Sequence, residues 1–360
     1  MSETWKQPLS YLGVAALSAG AAVAGYRYLT GYRYTTVVPP PAAAAAVVPA
    51  VVDESTNADE IELAFKAVQN HICQFLEDES GQRYKEDTWS YDKGSGGGIS
   101  RVWEALSDDE RHLLLEKGGV NFSGIHGAAM PDSAATQFKI PPNTAFRATG
   151  VSLVIHPRTP HVPTIHANIR YFECGPRWWF GGGVDVTPYY VNRERVVEFH
   201  KLLRALCEEW GYSYEAFKKQ CDAYFLNTHR KEARGVGGLF FDHLTTSDAL
   251  PKSKKEICDF LVALGMLFPQ LYGPFIHEGK DKEVTPEQRE FQLYRRSRYV
   301  EFNLLHDRGT KFGLQSEGRV ESILMSMPPL ARWKYNWHPE EGTPEAELYD
   351  IITPKDWASM

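Results

Sequence analysis

Between residues 151 and 186 three strand-like segments follow one another with no helical pattern between them. Val151–His156 is rich in β-formers, Thr164–Phe172 alternates, and Trp178–Val186 carries the run Gly181-Gly182-Gly183. Pro157–Pro163 is a turn-rich break. Gly237–Phe241, Tyr299–Leu305 and Arg319–Met327 read as further strands, and Tyr91–Ser100 as a glycine-rich loop. Strands that come singly or in hairpin-like pairs, without βαβ alternation, predict an α+β domain with a mainly antiparallel sheet.

Helical patterns fill the remainder. Ile61, Phe65, Val68, Ile72, Phe75 and Leu76 recur at helical spacing. Asn192 caps a helix whose stripe is Val196, Phe199, Leu203, Leu206 and Trp210, with Gly211 as its stop. A second helix spans about Tyr214–Leu226. Ser253 with Glu256, and Thr285-Pro286 with Gln288, open two more. No linker interrupts residues 53–360, so this is one domain.

Residues 1–52 differ from that domain. They hold Glu3 against Lys6, Arg27 and Arg33, a net charge of +2, and leave −9 on the remainder. Tyr11–Gly25 is apolar but short for a membrane span, and a Pro/Ala run from Pro39 to Ala50 follows. An acid-poor, Arg-bearing leader of this kind predicts organelle targeting, mitochondrial above other destinations, or a weak membrane anchor, with cytoplasmic residence as the alternative. The acidic body excludes an ordinary nucleic-acid binder. Five widely spaced cysteines without a CxxC pair indicate neither a zinc ribbon nor a disulfide framework.

Chemistry concentrates in Thr164–Phe172. Alternation puts His166, Asn168, Arg170 and Phe172 on one face and Ile165, Ala167, Ile169 and Tyr171 on the other. The first set reads either as a functional face or as a solvated edge. Arg170 suits a carboxylate, and Arg319, after Gly318 at a loop-to-strand junction, a second one. Gly181-Gly182-Gly183 followed by Val184-Asp185 reads as a close backbone approach or as a bulge at a sheet edge. Arg234-Gly235-Val236-Gly237-Gly238 lies between helix and strand in the wrong order for a dinucleotide fingerprint. His156, His166, His200 and His229 are the nearest approach to a metal set, but no ligand spacing supports one and they read first as structural histidines.

These segments resemble the oxygen-dependent coproporphyrinogen III oxidase family. The resemblance is carried by Val151–Pro157, His166–Phe172, Trp178–Asp185, Arg234–Asp242, Arg298–Leu304 and the run from Asp307-Arg308-Gly309-Thr310 to Ser326, and covers nearly all of residues 60–357. It implies a large, flat antiparallel sheet with helices on both sides, and a homodimer. It implies conversion of two propionates of coproporphyrinogen III to vinyl groups, giving protoporphyrinogen IX, with O2 as oxidant, CO2 and H2O2 as by-products and no organic cofactor. It carries a proton-donating role to His166 and substrate contacts to Ser152, to Asn168, Ile169 and Arg170, and to Glu317, Gly318 and Arg319. Carboxylates meeting the pyrrole NH groups fall on Asp185 and Asp307. A divalent metal on the four histidines stays open, as do a metal-dependent oxygenase and a non-catalytic porphyrin binder. A location in the mitochondrial intermembrane space, with peripheral membrane association, completes the expectation.

Overall fold

Seven strands form one sheet in the order β1-β2-β3-β4-β5-β6-β9, each neighbour pair antiparallel. They are β1 Lys85–Ser90, β2 Ser95–Glu104, β3 Leu115–Gly127, β4 Phe146–Pro157, β5 Thr164–Cys174, β6 Arg177–Thr187 and β9 Gly237–Leu244. Strands adjacent in sequence are adjacent in space down to β6. The small pair β7 Leu226–Asn227 and β8 Glu232–Ala233 precedes β9. This computed structural model describes residues 56–92, 94–129, 141, 143–247, 249–315 and 318–360. The leader 1–52 and Glu317 lie outside the described residues.

One face of the sheet is apolar. Val151, Leu153 and Ile155 of β4, Ile165, Ile169 and Tyr171 of β5, and Val184 and Val186 of β6 are buried on it. Two helices cover it. α1, Ala58–Ser80, lies against β3 and β4, and its Gln69 amide donates to the carbonyls of Ile99 and Val120, both at 2.8 Å. α4, Lys254–Met266, lies against β5 and β6, opened by the Ser253–Glu256 capping box. α2, Arg193–Glu209, is capped by Asn192, and α3, Tyr214–Tyr224, packs along β9; α5 is Phe268–Gly279. The apolar pair α4–α5 is mostly buried within the protein.

The opposite face carries α6 Pro286–Leu305, α7 Arg308–Gln315 and α8 Val320–Leu324 at one side; α9, Pro344–Ile351, and a 3-10 turn at Trp357–Ser359 follow. α6 is tied to the sheet by a buried ion pair, Arg296 Nη1 to Glu116 Oε2 at 2.7 Å, and by Gln292 and Arg296 donating to the Pro157 carbonyl. Met325 presses on Gly119, and Asn121 donates to the Ser322 carbonyl at 2.9 Å.

Three expectations are corrected. Tyr299–Leu305 is the end of α6, not a strand. That helix is buried on nearly every side, Arg295 to Asn303 included, so its apolar residues show no stripe. Within Arg319–Met327, Val320–Leu324 is helical, held by its contacts with β3 rather than by local pattern, and Arg319 is its N-cap. Most of Tyr91–Ser100 is strand β2: Gly98 lies against the Trp89 ring and Gly97 against its main-chain carbonyl, so glycine here marks close packing and not a loop.

Candidate active site

Strand register assembles the second face of the sheet from residues far apart in sequence. Directly opposed partners point to the same side. One row runs Asp87, Ser100, Asn121, Ser152, Asn168, Gly183, Phe240 from β1 to β9. Its neighbour runs Trp89, Gly98, Ser123, Gly150, Arg170, Gly181, and the row on the other side ends His166, Asp185, Gly238. This is a floor of hydroxyls, amides and glycines. Ser152 is exposed although it lies on the central strand β4, so the floor is open there. The alternation in β5 agrees with the structure: the His166, Asn168, Arg170 side is partly open and its reverse is core, and β5 is an inner strand rather than a solvated edge.

A continuous polar chain crosses that face. Asp185 is 1% exposed, with Oδ1 2.8 Å from His166 Nδ1. Arg234, 2% exposed, donates from Nη2 to both carboxylate oxygens at 2.6 and 2.8 Å. Burial alone would raise the Asp185 carboxyl; Arg234 and His166 outweigh it and hold it below the usual range. An ionised Asp185 accepts, so His166 carries its hydrogen on Nδ1. Nε2 is then the acceptor 3.3 Å from Asn168 Nδ2, and Asn168 Oδ1 accepts from Arg170 Nη1 at 2.9 Å. Arg170 in turn pairs with Asp242 at 3.0 Å, and Arg308 approaches Asp242 at 3.7 Å.

Gly181 makes that last contact sterically possible. A Cβ there would sit 2.8 Å from both the Arg170 guanidinium and Asp242 Oδ1. Both glycine readings meet in β6, since a register shift between Phe180 and Gly182 accompanies the close approach. β6 is not the edge, however, because β9 pairs outside it.

Two carboxylates expected to face a ligand are already engaged by protein groups. Asp185 is sealed beneath His166 and saturated. Asp307 accepts from the Tyr224 hydroxyl at 2.8 Å and from the Thr310 amide at 2.6 Å, as a cap on α7. Burial, reinforced by Asp307, pushes the Tyr224 hydroxyl up to about 12, so it remains a donor. Arg319 lies on the β1 side, paired with Asp87 and donating to Ser322 Oγ at 3.3 Å. Four strand spacings, roughly 19 Å, separate the β1 and β5 ends of this floor, a span shortened by the reach of the two arginines. Ile169 faces the core, so its side chain cannot line the floor. Gly318 lies under a close backbone contact with Gly313.

The four histidines do not form a donor set as arranged. His156 bonds Thr164 Oγ1 at 3.2 Å and the Ser326 carbonyl at 2.9 Å. His200 accepts from Tyr214 at 2.8 Å and meets the Val236 carbonyl at 3.2 Å. His229 bridges His306 and Glu301 at 2.8 and 2.9 Å. Among the described residues no three His, Cys, Asp or Glu side chains gather as metal ligands.

Sequence reasoning missed Arg234, Asp242, Ser100 and Asn121. Arg234 and Asp242 stand within a segment that carries the family resemblance, but neither is singled out there as a site residue. Alternation within β9, which places Phe240 and Asp242 on the Arg170 side, was a usable signal for Asp242.

Residues 60–357 match the sequence profile of the coproporphyrinogen III oxidase family. An oxygen-dependent coproporphyrinogen-III oxidase of Dictyostelium discoideum is 54% identical over 318 residues, covering 83% of this chain and 94% of its own length.

Burial holds His200 at about 3 and His156 well below its ordinary 6.5. Depressed folded values mean that the unfolded chain protonates first. Stability is therefore complete above about pH 6.5 and falls below it, by up to about 1.4 kcal/mol per pH unit for each group. Urea unfolding at pH 7.5 and 5.0 should show this loss, and His200→Gln should shrink it. Equal stability at the two pH values would contradict the assignment. By profile and by relative, the chain belongs to the oxygen-dependent coproporphyrinogen III oxidase family.

Proposed function

We propose that the open floor over β3–β6 binds coproporphyrinogen III and that the chain oxidises two of its propionates to vinyl groups, as an oxidoreductase of heme biosynthesis. Family membership supports the reaction. The single observation that supports its location is the grouping of Ser152, Asn168 and Arg170 on a sheet face paved with glycine. A flat macrocycle needs such a floor, and its carboxylates need cations in a body of net charge −9.

Each decarboxylation consumes one O2, one propionate and one proton. The propionate Cα–carboxyl bond breaks to release CO2, the β-carbon loses hydrogen, and O2 takes two electrons and two protons to become H2O2. Electron-rich pyrroles react with O2 directly, so the protein supplies position and charge rather than a redox centre. Arg170 and Arg319 hold propionates from opposite ends of the floor. His166 moves the proton at Nε2, with Asn168 aligning that nitrogen. Ser152 and the Asn168–Arg170 backbone line the floor. Asp185 acts through His166 and not on a pyrrole NH, because both its oxygens are taken. Asp307 shapes the rim by fixing α7. No organic cofactor and no metal enter this scheme. Retention of activity in chelated, metal-free protein is its check.

Anaerobic addition of coproporphyrinogen III should give no vinyl product until O2 is admitted, and peroxide should then appear with it. Arg170→Ala should raise KM at least ~10-fold, consistent with the loss of a charged contact. Unchanged KM and kcat would remove Arg170 from the site.

We also read the protein as a homodimer. Leu304 and Leu305 end α6 exposed, and exposed Leu330, Trp333 and Tyr335 lie in the segment that runs back along it. An apolar patch of this kind suits a second copy. Leu305→Glu with Trp333→Glu should halve the mass in sedimentation; an unchanged mass would refute this face. The acid-poor segment 1–52 supports mitochondrial targeting to the intermembrane space, with peripheral contact to its membrane. A reporter fused to residues 1–52 should co-fractionate with mitochondria, and a cytosolic reporter would contradict it.

A further inference from the structure

Arg234 is spent on one carboxylate. Its Nη2 reaches both oxygens of Asp185, Nε adds a bond to Oδ2 at 3.2 Å, and Nη1 lies 3.4 Å from Asn303 Oδ1. The guanidinium carbon sits 3.9 Å from the Phe225 ring centre and 4.9 Å from those of Tyr299 and Phe302. His166 packs edge-on against that same Phe225 at 5.7 Å. Aromatic walls therefore fix the cation, the cation fixes the carboxylate, and the carboxylate fixes the imidazole. Arg234 is too buried to touch a ligand on the floor.

We propose that Arg234 is a positioning residue for the reaction: by clamping Asp185 it holds His166 in the Nδ1–H tautomer and keeps the Nε2 lone pair aimed at the floor. This rests on the reading of His166 as the proton-transfer group. It follows from geometry, because a planar fork on both carboxylate oxygens permits one orientation of Asp185. A structural ion pair would not need a third partner, yet Oδ1 serves Arg234 and His166 together. The other ionisable groups facing this pair are Cys221 of α3 and Tyr299 of α6. Burial raises both, so they stay neutral between pH 5 and 9. His156 and Asp307 also feel the Arg234 charge.

The test compares Arg234→Lys, Asp185→Asn, the double variant Arg234→Met/Asp185→Asn and His166→Gln, measuring kcat and KM from pH 5.5 to 9. The double variant leaves no unpaired buried charge, so it remains informative if Arg234→Met alone fails to fold. A lysine holds Asp185 less firmly. Arg234→Lys should therefore lose activity at higher pH than the parent, its acid limb moved up by about one unit, with KM within ~3-fold. Asp185→Asn should lower kcat by ~10²–10⁴, and adding Arg234→Met should lower it little further, because the two act as one unit. A parent-like pH profile in Arg234→Lys, or losses that multiply in the double variant, would overturn the inference while His166→Gln stays inactive. A fully active His166→Gln would instead remove the proton-transfer reading, and this inference with it.

Discussion

A carboxylate sealed from water holds the site together. Asp185 lies on β6 directly across from His166 on β5, beneath the polar, glycine-paved face of the sheet. Isolated at that depth it would take up a proton, and it would then no longer align the imidazole. Arg234 prevents this from the loop before β9. Phe225, Tyr299 and Phe302 hold Arg234, which places the end of α3 and the middle of α6 in the same dependency. Tyr299 and Phe302 of α6 thus support the Asp185–His166 pair at one remove. The enclosed charges of that helix are balanced elsewhere, Arg296 by Glu116, Arg295 by Glu232 and Glu301 by Arg230.

The rest of the site is a consequence of antiparallel register. Each strand contributes a residue or two, and none would signify alone. Ser100, Asn121, Ser152 and Asn168 become one row because β2 to β5 pair without a break at that level. Glycine at 98, 150, 181 and 183 leaves the floor flat enough for a planar molecule, while Gly181 also lets Arg170 and Asp242 meet. α7 and α8 wall one side and bring Arg319 to the far edge. Local charge thereby replaces the overall field, which is negative and would repel a tetra-anion.

Much of this was legible in the residues. Alternation in Thr164–Phe172 identified both faces of β5, and three helix starts followed from their capping residues, Asn192, Ser253 and Thr285. Two kinds of information were not local. The strand reading of Tyr299–Leu305 failed because a helix enclosed on all sides shows no polar stripe. The floor on β2 and β3 went unseen because its glycines look like a loop until Trp89 and the neighbouring strands are placed against them. Asp185 and Asp307 were found as residues, but the partners that hold them were not visible in the sequence. A sequence reveals that a carboxylate is present, and only the fold shows that Arg234, His166, Tyr224 and a helix end already occupy its oxygens.

The proposed site turns on the proton of His166. Nitrogen-15 NMR of protein labelled in its histidines reads that proton directly at neutral pH, with His166→Gln identifying the signal. The geometry predicts a protonated Nδ1, shifted by its carboxylate partner, beside an unprotonated Nε2. A neutral imidazole carrying its hydrogen on Nε2 would contradict it.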